Sequence, residues 1–366
     1  MIRMDQTMFT KLPRFKKLCL GIIVALPIIS SAYADKIVVA HRGASGYLPE
    51  HSMAAKSMAY AMGVDYIEQD VVMTKDNALV ILHDHYLDGV TNVADVYPDR
   101  KREDGRYYAI DFTLDEIQKL NMTEAFKIKD GKATAVYPKR FPLWKSQFKV
   151  HTLENEIELI QGLNASTGNN VGIYVEVKAP WLHRHEGKDI SAAVLKVFKK
   201  YGYTKKSDLA YFQSFDANEL KRVKTQLLPE LGLDVKLVQL MAETSWNETM
   251  EYQDGKAQPY NYDWMFKPDA MKKIAEYADG VGPWKPMVVA PESTKDELVF
   301  TSLVKDAHDA GMEVHPYTFR LDEGRIPAYA ENFEDLLDIF YNKANVDGVF
   351  TDFPDRAVNF LKQDKQ

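Results

Sequence analysis

The 366-residue chain has almost no cysteine. Its single thiol, Cys19, lies in an N-terminal segment that reads as a leader. The remainder therefore has no disulfides, no thiolate nucleophile and no cysteine metal ligand. No uncharged apolar stretch reaches the ~20 residues that a bilayer-spanning helix needs. The run Leu18–Ala32 is the nearest approach, and Pro27 interrupts it. There is no internal repeat and no low-complexity tract. No glycine-rich strand–turn–helix fingerprint points to a dinucleotide fold.

Arg3, Lys11, Arg14, Lys16 and Lys17 precede the apolar run, and Ala32-Tyr33-Ala34 follows it. That order predicts a signal peptide over residues 1–34, cut after Ala34. An uncleaved anchor is the alternative. Taking away the five basic residues and Asp5 moves the formal net charge from −7 to −11. So acidic a chain is poorly suited to nucleic acid or an anionic membrane surface. The expectation is an exported protein handling a small ligand, with no stable membrane insertion of the mature chain. A homodimer is compatible with the sequence, but no pattern fixes one.

Short apolar runs alternate with helical periodicity from Lys36 onward. Strands are expected at Lys36–His41, Tyr66–Thr74, Ala78–His83, Val171–Lys178, Leu209–Phe215, Lys236–Met241, Gly280–Pro283, Met312–Thr318 and Gly348–Thr351. Helices are expected between most of them, at Met53–Met62, Leu153–Leu163, Ile190–Tyr201, Ala217–Leu227, Asp269–Tyr277, Glu297–Ala310 and Phe333–Ala344. Lys75-Asp76-Asn77 is too short for a parallel crossover, so the second and third strands form a hairpin. Eight βα strands plus one hairpin strand fit an α/β fold of the (β/α)8 TIM-barrel type over residues 35–366. An open doubly wound sheet is the rival. The stretch 84–150 breaks the alternation and is too long for a plain loop. It reads as an insertion on one face, with a short helix at Thr113–Leu120 that Thr113 and Glu116 cap.

Side chains alternate along a strand, so Glu68 and Asp70 share a face, as do Glu176 and Lys178. Acids on one face of an apolar strand are costly unless positive charge meets them. Glu68, Asp70 and Glu176 at one barrel mouth would make an oxygen site for Ca²⁺ or Mg²⁺. Alternatively, each acid pairs with a basic residue as structural glue. His41 and His83 end strands, where barrel enzymes carry their catalytic groups, and two histidines can divide proton transfer. His85, His315, His183 and His185 keep a zinc reading open, although the expected cluster is richer in carboxylates. Arg42 and Lys178 supply fixed positive charge, Arg42 as a fork for phosphate oxygens or as a partner for Glu50 or Asp70. Cation, histidine pair and metal on one rim suit a phosphodiester. Tyr86, Phe215, Trp181, Trp284 and Tyr317 are candidates for the pocket wall or for ordinary packing.

The ordered set His41-Arg42-Gly43-Ala44, Pro49-Glu50, Glu68-x-Asp70, His83-Asp84, Glu176-x-Lys178, Gln213-Ser214-Phe215, His315-Pro316-Tyr317-Thr318 and Thr351-Asp352-Phe353-Pro354 covers residues 36–361. It resembles the glycerophosphodiester phosphodiesterases, especially their periplasmic Gram-negative members. The resemblance implies a barrel like that of phosphatidylinositol-specific phospholipases C. It assigns His41 and His83 as the acid/base pair, and Glu68, Asp70 and Glu176 as ligands of one divalent cation, Ca²⁺ rather than Mg²⁺. It makes Arg42 the phosphate contact and Glu50, Lys178 and Gln213 further site positions. Glu50-His51-Ser52 departs from the usual Glu-Asn-Thr, which puts a role for position 51 in doubt. The implied reaction turns a small-molecule glycerophosphodiester, such as glycerophosphocholine or glycerophosphoethanolamine, and water into an alcohol and sn-glycerol 3-phosphate; attack by the glycerol 2-hydroxyl through a cyclic phosphate and direct attack by water are both open. The implied location is the periplasm. A barrel phospholipase acting on intact lipid and a catalytically idle binding barrel are the alternatives.

Overall fold

The computed structural model describes residues 36–364; the expected signal peptide lies outside the described residues. Eight strands form one parallel sheet: Ile37–Ala40, Tyr66–Met73, Gly172–Val177, Ala210–Ser214, Lys236–Leu240, Gly280–Gly282, Glu313–Val314 and Gly348–Thr351. The strands pair in chain order from Ile37–Ala40 to Glu313–Val314, and Ile37–Ala40 also pairs with Gly348–Thr351. The seam closes where Asp347 N–H donates to the Val314 carbonyl at 3.0 Å and Phe319 N–H to the Phe350 carbonyl at 2.8 Å. The result is the expected TIM barrel. Leu79–Ile81 lies antiparallel to Tyr66–Met73, as the short link requires, and Asn77 takes the left-handed φ of 68° in the turn.

The strand period of two divides the barrel into shells. Outward residues such as Ile67, Val71, Ile173, Val175 and Phe212 join the large core under the helices. Inward residues Val39, Tyr66, Tyr174, Tyr211, Val238 and Phe350 form a separate cluster. Tyr174 and Tyr211 stack there at 4.3 Å, with Tyr66 edge-on to both. Two residues further along these strands, toward their carboxyl ends, come Glu68, Glu176 and Gln213. The aromatic layer is thus the floor of the mouth.

Residues 84–150 build an apolar core of their own. Leu87, Val93, Tyr107, Phe112, Ile117, Leu120 and Met122 pack on Val72, Val80 and Leu82 of the hairpin. The helix Leu114–Gln118 carries the expected capping box between Thr113 and Glu116. The segment also holds a hairpin, Phe126–Lys129 with Lys132–Ala135, that sequence periodicity did not single out. A second hairpin, Met250–Gln253 with Lys256–Pro259, was missed as well. The helix expected to begin at Glu297 begins at Leu303. Residues 299–301 are instead tied to 288–290 by Ala290 N–H to the Val299 carbonyl, 2.8 Å, and Thr301 N–H to the Val288 carbonyl, 3.0 Å. A helix at Pro354–Asp364 was not anticipated.

Gly172 shows how tightly the floor is set. A Cβ there would strike the Tyr66 ring and lie 2.7 Å from the Leu209 carbonyl oxygen. Gly172→Ala should therefore cost about 1–3 kcal/mol, the usual penalty of overpacking. Urea unfolding would read this as a lower midpoint at unchanged slope.

Candidate active site

The chain after Ala40 turns sharply at two left-handed residues, Arg42 at φ 58° and Gly43 at φ 85°. Gly43 has no room for a side chain, because a Cβ would lie 2.8 Å from the Ala55 carbonyl carbon. The turn aims the Arg42 N–H at Glu68 Oε2, 2.6 Å away. It also sends the guanidinium to Glu50 Oε2 at 2.8 Å and to within 3.6 Å of Asp70 Oδ2. His51, left-handed at φ 59°, closes the same loop and places Nε2 2.8 Å from Asp70 Oδ2.

A cavity of about 620 Å³ opens at the carboxyl ends of the strands. It is lined by His41, Arg42, Glu68, His83, Glu176, Lys178 and Gln213. The structure thus gathers seven of the nine expected site residues on one wall. The other two, Glu50 and Asp70, bond or adjoin the Arg42 side chain. Phe215, Trp284 and Tyr317 also line the cavity. Trp181 and Tyr86 instead pack around His85, at 6.1 and 4.0 Å.

Both histidines present the same local chemistry. His41 Nδ1 lies 2.6 Å from Asp352 Oδ1, and His83 Nδ1 lies 2.6 Å from Asp84 Oδ1. Burial opposes ionisation of Asp352, yet Arg320, His41 and Arg140 hold it well below the usual carboxylate range. An ionised carboxylate only accepts, so Nδ1 of His41 carries the hydrogen and Nε2 keeps its lone pair. Burial and the Arg42 charge push His41 down to about 3 against the pull of Asp352, so it is neutral at pH 7. Asp84 is likewise lowered, burial notwithstanding, by the charge and hydrogen bond of His83.

The carboxylates want positive charge. Burial, with Asp70 next, drives Glu68 well above the normal range. Burial drives Glu176 up too, although Lys178 bonds it at 2.6 Å. Asp70, buried as deeply, is held low by the Lys178 charge and the His51 hydrogen bond. Asp70 Oδ1 and Gln213 Oε1 are buried with no hydrogen-bond partner. Ligand atoms of His51, Glu68 and Asp70 lie within 4.8 Å of one another. An oxygen-rich group of raised carboxyls and orphaned acceptors fits a hard divalent cation. His51 belongs to this group, and sequence reasoning had set its position aside.

The remaining histidines are engaged elsewhere. His183 Nε2 accepts from the Met73 N–H at 3.0 Å, His315 Nδ1 pairs with the Tyr174 hydroxyl at 3.0 Å, and His185 stacks on Tyr252 at 3.9 Å. They do not assemble the zinc site that their number left open. Sequence reasoning also passed over Lys285, Arg320, Trp246 and Glu248, which line the same cavity. Burial and then Arg320 push Lys285 down to about 7. Asp352 and Asp84, which hold the two histidines, had a signal in the Thr351–Pro354 and His83-Asp84 motifs.

A closed parallel barrel with buried carboxylates, two carboxylate-held histidines and two cations at its mouth defines an α/β-barrel hydrolase site. The chain belongs to the glycerophosphoryl diester phosphodiesterase family, whose profile matches residues 41–356. It is 58% identical over 332 residues to a glycerophosphodiester phosphodiesterase of Haemophilus influenzae, covering 90% of each chain. It is 45% identical over 343 residues to one of Treponema pallidum, covering 93% of this chain and 95% of the relative. Its activity is that of a glycerophosphodiester phosphodiesterase. The barrel also matches solved structures. A Silicibacter pomeroyi protein described as a glycerophosphoryl diester phosphodiesterase superposes with a TM-score of 0.63 at 23% identity, covering 91% of this chain and 95% of that one. An Oleispira antarctica phosphodiesterase in complex with the product sn-glycerol-3-phosphate superposes with a TM-score of 0.57 at 21% identity, covering 89% and 96%.

Glu124, carried to the site by the inserted segment, gives a test of this electrostatic picture. Burial, then the Glu50 charge, raise its carboxyl to about 8, and Oε2 has no partner. A carboxyl raised on folding favours the folded state below its unfolded value of ~4.3 and loses that advantage as pH rises toward 8. Glu124→Gln should therefore match the wild type near pH 4 and exceed it by on the order of a few kcal/mol at pH 9. Denaturant melts at the two pH values would measure the difference.

Proposed function

We propose that the cavity hydrolyses glycerophosphodiesters, glycerophosphocholine and glycerophosphoethanolamine among them, to an alcohol and sn-glycerol 3-phosphate. One divalent cation assists, Ca²⁺ in preference to Mg²⁺. The observation that carries this reading is the pair of histidines, each with Nδ1 on a carboxylate, facing one cavity with Arg42 and Lys178.

Glu68, Asp70 and Glu176 would hold the cation, with His51 bonded behind Asp70. When bound, it would draw charge from a phosphoryl oxygen and acidify a nearby hydroxyl. Their carboxylate-rich set and the larger, flexible shell of Ca²⁺ support that ion over Mg²⁺. Arg42 Nε, a buried donor without an acceptor, and the Lys178 ammonium bind and orient the phosphoryl oxygens. Neutral His41 takes the proton from the glycerol 2-hydroxyl at Nε2 as that oxygen attacks phosphorus. His83, the more exposed of the two, donates a proton to the departing alcohol oxygen. The bond to the alcohol breaks and a cyclic phosphate forms. Water then opens the ring at phosphorus with the two proton roles reversed. The tethered nucleophile gains the advantage of proximity. Phe215, Trp284 and Tyr317 form an apolar wall for the glycerol carbons.

The basic n-region, the short apolar run and Ala32-Tyr33-Ala34 support export to the periplasm by a signal peptide cut after Ala34. An intact-mass measurement of the exported protein tests this, with Asp35 as the expected first residue.

Release of glycerol 3-phosphate from glycerophosphocholine is the direct assay. EDTA should abolish it, and Ca²⁺ should restore it better than Mg²⁺. Activity indifferent to prolonged chelation would return Glu68, Asp70 and Glu176 to a structural role. His41→Asn and His83→Asn should each lower kcat by about 10²–10⁴-fold. A substrate lacking the glycerol 2-hydroxyl should be inert; normal turnover would exclude the cyclic route.

A further inference from the structure

The inserted segment 84–150 buries the Arg140 side chain beside the barrel mouth. Arg140 is 9% exposed and its guanidinium reaches three places. Nη2 lies 2.6 Å from Asp352 Oδ2 and 2.6 Å from Asp322 Oδ2. Nε lies 3.0 Å from Asp322 Oδ1, and Nη1 donates to the Ser45 carbonyl at 3.1 Å. Tyr137 of the same segment lies under the guanidinium at 3.9 Å. Asp352 uses its other oxygen for His41 Nδ1 at 2.6 Å. Ser45, in turn, donates its hydroxyl to the His41 carbonyl at 2.8 Å. Arg140 therefore touches both groups that fix His41, the carboxylate on its ring and the residue on its backbone.

We propose that Arg140 is a positioning residue for His41, and that the inserted segment is thereby a working part of the active site. With Arg320, whose Nε lies 2.8 Å from Asp352 Oδ2, it clamps Asp352 so that the carboxylate faces His41 in one orientation. A carboxylate held by two guanidiniums cannot rotate away from the imidazole, and the imidazole keeps Nε2 toward the cavity. The clamp also divides the Asp352 charge among three partners, so the imidazole receives only part of it. That smaller share leaves the imidazole neutral, with Nε2 free to accept a proton. The inference rests on the reading of His41 as a proton carrier in the proposed reaction.

The test compares Arg140→Met and Arg140→Lys with the wild type in full pH profiles of kcat and KM on glycerophosphocholine, alongside thermal unfolding. The charges facing His41 are Arg42 at the end of its own strand, Asp352 after the neighbouring strand, and Arg320 in the segment that closes the seam. Arg140 acts on it through Asp352. Removing Arg140 leaves Asp352 more charge to give to a protonated imidazole, so the limb that His41 governs moves to higher pH. The expected shift is about half a unit or more. Arg140→Met should lower kcat by about 10–100-fold, with KM changed by less than about threefold. Arg140→Lys keeps the charge but not the fork, and should fall between the two. If Arg140→Met does not fold, Arg140→Lys carries the test, with a displaced limb at unchanged unfolding temperature as the supporting result. A lowered unfolding temperature with an unmoved profile would make Arg140 merely structural and overturn the proposal. So would wild-type profiles in both variants while His41→Asn is inactive. A fully active His41→Asn would overturn this inference together with the role of His41.

Discussion

Everything at the mouth of this barrel answers to one constraint: three carboxylates sit buried close together. Glu68, Asp70 and Glu176 cannot all be ionised there without positive charge to meet them. The chain supplies some of it through Arg42 and Lys178, and the pairings are close but incomplete. Asp70 is held low, while burial raises Glu68 and Glu176. The deficit of positive charge that remains fits the cluster to a cation.

A second layer behind this cluster keeps it from relaxing. Lys56 is wholly buried, donates to the Glu68 carbonyl and pairs with Glu156 at 2.9 Å. Glu156 also meets His151 at 2.8 Å and the Gln69 amide at 2.8 Å. Gln69 lies between Glu68 and Asp70 on the same strand but faces the helices. One strand thus carries a charged network on each face. The outer network is buried under the helices, whereas the inner one is open toward the cavity. Buried ion pairs of the outer kind add little net stability, because desolvation offsets attraction, but they fix geometry.

The architecture was legible in the sequence because its strands break their own hydrophobic rule. Glu68, Asp70, Glu176 and Lys178 interrupt apolar runs at a spacing of two, which marks both the strand and the direction of its polar face. The short link at Lys75–Asn77 gave the hairpin. The residues that escaped notice lack such a pattern. His51 holds its place through a left-handed backbone, which no side-chain periodicity encodes. Arg140 lies in a segment without repeat or period, and its partner Asp352 is more than two hundred residues away in the chain. Lys285 and Glu248 come from loops whose course only the closed barrel determines. The helix placed six residues too early failed for the opposite reason: its sequence permits helix, and a pairing with 288–290 took the residues instead.

The tyrosine floor sets a rule of traffic. Tyr66, Tyr174 and Tyr211 fill the barrel below the carboxylates, so nothing enters from beneath. Whatever rests on the acids must arrive through the mouth before the molecule that covers it, and must depart after it. Anything bound on the acids can therefore exchange only while the space above it is clear.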